Sequence, residues 1–101
     1  MKSGIYKSKS KVIVYPGMSG WRFLVILKKD GVDIKETFGK MAKGWGSIPV
    51  LVTVGKTKWN TSIFPDKRSG TYLLPLKAQV RRKEKIVDDD IVSFTIKIQT
   101  T

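Results

Sequence analysis

The chain has 101 residues, the length of one domain, and its 41% hydrophobic content with three Trp, three Tyr and four Phe predicts a single folded core. It contains no Cys and no His, which excludes disulfides, thiolate nucleophiles, cysteine-ligated zinc and histidine-based catalysis. Twenty Lys and Arg against eight Asp and Glu give a net charge of +12. This charge favours a polyanionic partner, above all nucleic acid, with solubility alone as the alternative.

The uncharged apolar stretches are too short for a membrane span. Residues 23–27 and 48–54 fall far below the roughly 20 residues that a spanning helix needs. The first residues carry no apolar segment of the kind found in secretory signals. We therefore expect a cytoplasmic protein of one domain, residues 1–101, without a membrane partner.

The first predicted strand covers residues 5–15. Lys7, Lys9 and Lys11 recur at period two along it, so they share one face. One interpretation is a basic ribbon that faces phosphates. The other is an edge strand whose lysines block pairing with a further sheet. We favour the edge strand.

A turn-rich segment that begins at Tyr15-Pro16-Gly17 separates this strand from the second, residues 21–27. That second strand is almost continuously apolar, which predicts burial on both faces. From Lys28 the apolar residues recur at helical spacing, with acidic residues early and lysines late, as suits a helix dipole. Gly39 is the predicted end of this helix.

The middle of the chain predicts a β-hairpin. Residues 48–54 and 57–64 are its strands, and Gly55-Lys56 is a two-residue turn. Residues 65–70 form a loop with strong turn chemistry. A fifth strand, residues 71–76, and a short basic helix, residues 77–85, complete this part of the chain.

The last predicted strand, residues 91–98, follows a turn at Asp88-Asp89-Asp90 and shows clean half-buried alternation. The order is thus strand–helix–strand twice over, with further strands before and between. The segment that ends in Leu27-Lys28 is echoed by the one that ends in Leu76-Lys77, which predicts an internal duplication. Such a pair can close a small barrel within one chain and remove exposed edges.

Three segments together resemble the family catalogued as domain of unknown function 1905. The segments are Tyr15-Pro16-Gly17 with Gly20-Trp21, then Gly44-Trp45-Gly46-Ser47-Ile48-Pro49-Val50, then Trp59-Asn60-Thr61-Ser62-Ile63-Phe64-Pro65 with Tyr72-Leu73-Leu74-Pro75-Leu76-Lys77. The resemblance implies a mainly β (α+β) fold, a small double-split β-barrel with two short helices. This fold is similar to that of swapped-hairpin transcription regulators and antitoxins, in which two chains supply the two copies of the strand–helix–strand unit. The family has no established activity.

The chain departs from the family's pattern at two places. Leu27 stands where Pro is usual, and Asp89 stands where the turn before the last strand usually has Gly. Asp adopts the left-handed conformation at modest cost, so we expect this turn to persist. Since both copies of the unit lie in one chain, we also expect a monomer.

The acidic residues fall at predicted helix starts, loops and turns, where Asp and Glu serve capping and turn formation. The run at residues 88–90 lacks the spaced oxygen ligands of a calcium loop. No Ser has a His to activate it or lies in a Gly-x-Ser-x-Gly elbow. We therefore expect no enzyme, no cofactor and no metal site.

Three basic groups and one aromatic residue form the candidate nucleic-acid interface. They are Lys56, Lys58, Trp59, Lys67, Arg68, Lys77, Arg81, Arg82 and Lys83. If the fold gathers them into one patch, phosphate contacts would dominate, with steep salt dependence and little sequence preference. The alternative for each basic group is a solvated face. For Trp59, as for Trp21, Trp45 and Tyr72, the favoured alternative to base stacking is a role in the core.

Two other functions remain open from the sequence. One is a protein-interaction or stress-tolerance accessory domain with no nucleic-acid role. The other is a barrel that holds a small ligand between Trp45, Trp59 and Tyr72.

Overall fold

The computed structural model describes residues 4–14 and 20–99, except for the side chain of Trp45. Its elements are β1 (Ile5–Ile13), β2 (Phe23–Val25), α1 (Lys28–Phe38), β3 (Ile48–Val54), β4 (Thr57–Asp66), β5 (Thr71–Pro75), α2 (Ala78–Lys83) and β6 (Ile91–Ile98). Two 3-10 turns, Gly39–Met41 and Gly44–Gly46, link α1 to β3. The predicted fold class, a mainly β barrel with two helices, is confirmed.

The described strands close into a barrel in the order β1-β2-β5-β4-β3-β6, and all neighbours are antiparallel. β1 belongs to the closed barrel because it pairs with β6 over residues 5–11 and with β2 at Val12 and Ile13, so it is not an edge strand along its whole length. Lys7, Lys9 and Lys11 pair with β6 alone among the described strands, so the interpretation of an edge holds for the part of β1 that carries them. The predicted break at Tyr15-Pro16-Gly17 lies outside the described residues.

The second strand is shorter than its apolar sequence predicts. Only Phe23–Val25 forms the strand: all three residues pair with β5, and Phe23 and Leu24 also pair with β1. Trp21 precedes the strand and is 56% exposed, and Leu27 is the N-cap of α1. Apolar residues at the two ends of this run therefore serve other roles than strand pairing.

The core fills the inside of the barrel with residues that alternate along each strand. In β6, Val92, Phe94, Ile96 and Ile98 are buried, as the alternation predicts, while Lys97 points outward. β3 shows the same pattern, with every second residue buried. Each fully buried Val, Leu or Ile contributes roughly 1.5–3 kcal/mol, so this inner layer supplies most of the driving force for folding.

The two strand–helix units are arranged symmetrically about one residue pair. Leu24 lies opposite Leu74 in the β2–β5 ladder, and α1 and α2 each begin four residues later, at Lys28 and Ala78. Leu27 and Lys77 are the two N-caps, so Leu27 matches Lys77 in space and not Leu76. A duplication in sequence stays a prediction.

Since β2 and β5 run antiparallel, the helices lie at opposite ends of the barrel. We call these the α1 end and the α2 end. Thr71 contacts Gly31 of α1 so closely that a Cβ at Gly31 would lie 1.9 Å from the Thr71 Oγ1. The hydroxyl of Tyr6 in β1 donates a 2.6 Å hydrogen bond to Asp33. These contacts dock α1 on the strands.

The turn before β6 forms as expected despite its missing glycine. Asp89 has a φ of 71°, in the left-handed region that Asp tolerates. The Asp90 carboxylate accepts a 2.9 Å hydrogen bond from the Val87 backbone N–H, which closes the turn.

Candidate nucleic-acid interface

Five lysines share the outer surface of the sheet formed by β1, β6, β3 and the first half of β4. The strand register carries this surface across the barrel, because Lys7 lies opposite Thr95, Thr95 opposite Thr53, and Thr53 opposite Lys58. Directly opposite residues in a sheet point to the same side. We call this surface the lysine face. Its cations are Lys7, Lys9, Lys11, Lys58 and Lys97, all exposed.

The lysine face contains no carboxylate. The strand segments that form it, residues 5–13, 91–98, 48–54 and 57–63, contain neither Asp nor Glu. Successive lysines on β1 are about 7 Å apart, and Lys7 and Lys58 are separated by three strand spacings, or about 14 Å. The positive charge therefore covers a continuous area without an opposing charge inside it.

A shallow groove of about 710 Å³ crosses the lysine face. Lys7 and Lys9 line it on β1, and it extends from Leu27 to Gly55, so it runs across the strands. The side chains of Thr53, Ser93 and Thr95 also line it. Hydroxyl groups and ammonium groups are both donors to phosphate oxygens.

Carboxylates border the lysine face at the α2 end. Lys11 lies 3.5 Å from the Asp89 carboxylate, with 58% and 80% of the two side chains exposed. An ion pair so exposed contributes little and is easily exchanged for another anion. Next to it, Arg22 contacts Asp88 at 2.5 Å. These pairs mark the boundary of the carboxylate-free area.

Lys58 and Lys56 are the predicted residues that lie on or beside the lysine face. Lys58 points outward from β4, and Lys56 occupies the β3–β4 turn next to the groove at Gly55. Trp59 points the other way and packs against the core. Its Nε1 is buried without a hydrogen-bond partner among the described residues. Lys58 and Trp59 therefore do not act from one surface.

Lys67 and Arg68 lie far from the other predicted residues. They occupy the β4–β5 turn at the α1 end. Lys67 is nine residues after Lys58, and an extended strand of nine residues spans up to about 30 Å. The Asp66 carboxylate organises this turn by accepting hydrogen bonds from the Ser69 backbone N–H at 2.9 Å and the Ser69 hydroxyl at 2.8 Å.

The basic residues of α2 lie at the same end as Lys56. The hydroxyl of Thr57 donates a 2.7 Å hydrogen bond to Glu84, which joins the β3–β4 turn to the end of α2. Glu84 thereby places a carboxylate between the two basic groups. The predicted α2 residues are Lys77, Arg81, Arg82 and Lys83, of which Arg81 is half-buried and the others are exposed.

The nine predicted residues thus do not form one surface, and four lysines of the lysine face were missed. Lys7, Lys9 and Lys11 carried a signal, their period of two, but it was assigned to edge protection. Lys97 carried none, because its neighbour on β1 depends on pairing between the two ends of the chain.

The alternative of a small-ligand barrel involves other parts of the molecule. Tyr72 lines a groove of about 700 Å³ between α1 and the β4–β5 turn, whereas Trp59 does not. Burial raises the pKa of the Tyr72 hydroxyl. Along residues 4–14 and 20–99, no three acidic side chains meet in a group that could hold a metal ion. No helix in this part of the chain is long and apolar enough to cross a membrane.

The architecture and this surface define a small closed antiparallel barrel with two helices and one carboxylate-free basic side. The chain belongs to the family described as Domain of unknown function (DUF1905), which matches residues 9–96. No curated protein is similar enough to count as a match.

Proposed function

We propose that the protein binds nucleic acid through the lysine face, by contacts to phosphates. The observation that carries the proposal is the set of five exposed lysines on one sheet surface whose strands contain no Asp or Glu. A net charge of +12 attracts polyanions over a longer distance and raises the rate of encounter.

The side chains of this surface favour backbone contacts over base recognition. Lys is a point charge that suits a phosphate, and the hydroxyls of Thr53, Ser93 and Thr95 add neutral donors in the groove. The outward residues of β4 beside β3 are Lys58, Asn60 and Ser62, and none is aromatic. Stacking of bases on this surface is therefore not its source of affinity.

The affinity expected from this surface depends steeply on salt. Neutralising about five phosphates predicts a slope of about −4.5 for the logarithm of the binding constant against the logarithm of salt concentration on duplex DNA. Sequence preference is expected to be weak, since phosphate contacts carry no sequence information.

The test is a titration of a labelled 20-base-pair duplex and a labelled single strand of the same length at about 50 mM salt, where several phosphate contacts give a strong signal. Lys7→Ala/Lys9→Ala removes two charges from the groove. Lys40→Ala/Lys43→Ala removes the same charge from exposed positions outside the lysine face. We expect weaker binding for the first variant only. Absence of binding by the wild-type protein, or equal loss in both variants, would refute the proposal.

The two alternative functions make different demands. A small-ligand site would use the groove beside Tyr72, and Lys7→Ala/Lys9→Ala would not affect it. A protein-interaction domain would bind its partner without competition from DNA. Duplex binding that Lys7→Ala/Lys9→Ala weakens supports the nucleic-acid proposal, and no duplex binding by the wild-type protein favours one of the alternatives.

A further inference from the structure

A second basic site lies at the α2 end, around the exposed ring of Trp21. This ring stacks on Phe23 with centroids 6.2 Å apart and an interplanar angle of 18°. Phe23 is 4% exposed, so Trp21 rests on a fixed part of the barrel while 56% of it stays in solvent. A large aromatic side chain in this position offers apolar area whose burial favours ligand binding.

Two cations of α2 line the same cavity as Trp21. Lys77 is the N-cap and Arg81 follows four residues later, so both lie on one side of the helix. The Nε–H of Arg81 donates a 3.2 Å hydrogen bond to the Leu76 carbonyl, which holds the guanidinium plane. In the described part of the chain, Arg81 forms no ion pair, so its terminal amino groups keep their capacity for an anion.

The cavity itself measures about 200 Å³, and Pro75 and Leu76 contribute apolar area to its lining. Drug-sized ligands usually occupy pockets of about 300–1,000 Å³, so this one suits a smaller group such as a single base. It combines a flat aromatic surface with cations on its rim. That pairing matches a ligand with a planar aromatic part and an anionic part a few bonds away.

We propose that this cavity binds one nucleotide, with the base against Trp21 and the phosphate between Lys77 and Arg81. The ligand is either a free mononucleotide or the phosphorylated end of a strand. The site is separate from the lysine face. No residue of the lysine face lines the cavity, whereas Arg22, which contacts the Asp88 carboxylate, does line it.

The experiment is three separate titrations of the protein, with adenosine 5′-monophosphate, with adenosine and with inorganic phosphate. Calorimetry measures the affinity, and the indole N–H resonance of Trp21 reports binding at the ring. We expect the nucleotide to bind more tightly than either fragment and to shift that resonance. Equal affinity for phosphate and nucleotide, or no binding of the nucleotide at millimolar concentration, would overturn the assignment.

Variants separate the roles of the ring and the cation. Trp21→Ala should weaken nucleotide binding about 5- to 150-fold, the range that corresponds to one base–aromatic stack. Arg81→Lys keeps the charge, loses the Nε hydrogen bond, and should weaken it less. Arg82→Ala, on the same helix but outside this cavity, is the matched control and should bind like the wild type. Loss in Arg82→Ala equal to that in Trp21→Ala would contradict the site.

Two further arms identify the source of the ligand and keep the proposals apart. A short oligonucleotide with a 5′-phosphate, compared with the same strand ending in a 5′-hydroxyl, tests the strand end. A preference for the phosphorylated strand assigns the strand end, and equal binding of the two strands assigns the free nucleotide. Lys7→Ala/Lys9→Ala should bind the mononucleotide like the wild type. If the lysine-face proposal fails, the mononucleotide site therefore still stands. If the mononucleotide site fails, the lysine-face proposal still stands.

Discussion

Lys58 and Trp59 are neighbours in sequence but point to opposite sides of β4, one to the lysine face and the other to the core. Lys58→Ala should therefore weaken nucleic-acid binding a few-fold and leave stability nearly unchanged. Trp59→Ala should destabilise the fold by about 3 kcal/mol, as loss of a large core aromatic does. Urea denaturation and DNA titration of both variants check this. A stable Trp59→Ala protein with abolished binding would instead place the ring at the interface.

Gly31 is required in α1 because Thr71 occupies the space of its missing side chain. A Cβ at Gly31 would lie 1.9 Å from the Thr71 Oγ1 and 2.9 Å from its Cβ. Gly31→Ala should therefore destabilise the protein by about 1–3 kcal/mol, although Ala is the better helix former. Thr71→Ala removes the closest atom and should relieve part of this cost in the double variant. Thermal unfolding of the four proteins measures the coupling, and a Gly31→Ala variant more stable than the wild type would contradict it.

The β3–β4 turn depends on Gly55 for two separable reasons. Gly55 has a φ of 57°, and a Cβ there would lie 2.1 Å from the Glu84 Oε1. Gly20 has a φ of 87°, and a Cβ there would meet nothing within 4 Å, so Gly20→Ala measures backbone strain alone. We expect Gly55→Ala to be the more destabilising, because Glu84 must move and so gives up the hydrogen bond that it accepts from Thr57. Equal midpoints in urea would show that Glu84 moves away freely.

Stability should fall as the pH rises above 10. Burial first, and then the hydrogen bond to Asp33, raise the pKa of the Tyr6 hydroxyl above its usual 10.0. In this pH range the unfolded chain loses a proton that the folded chain keeps, so deprotonation favours unfolding. Tyr6→Phe should reduce the loss of stability between pH 9 and pH 11.5, two values chosen to bracket the ordinary tyrosine pKa of about 10. Identical pH profiles for variant and wild type would refute the linkage.

Local pattern predicted much of the fold. Alternation in residues 91–98 identified β6, charge order and apolar spacing identified α1, and the Gly55-Lys56 turn identified the hairpin. The persistence of the turn at Asp89, without its usual glycine, was also predicted correctly. These features depend on neighbours in sequence, where steric and dipole effects act directly.

The binding surface was harder to predict because it depends on pairing over long distances in the chain. Lys7 and Lys58 share a surface only through β6 and β3, and Lys97 joins them because residues 5–11 pair with residues 91–97. The sequence analysis included Lys67 and Arg68 in the same candidate interface as Lys58, although the two groups lie at opposite ends of β4. The lysines of β1 lie where this strand pairs with β6 alone, and this pairing makes them part of a sheet surface that composition does not show.

The salt dependence of duplex binding in two variants of equal charge tests the lysine face most directly. One variant replaces Lys7, Lys9, Lys11, Lys58 and Lys97 by Ala, and the other replaces Lys28, Lys29, Lys35, Lys40 and Lys43. We expect the wild-type slope of about −4.5 to persist in the second variant and to approach zero in the first. Equal slopes in the two variants would show that net charge, and not this surface, binds the nucleic acid.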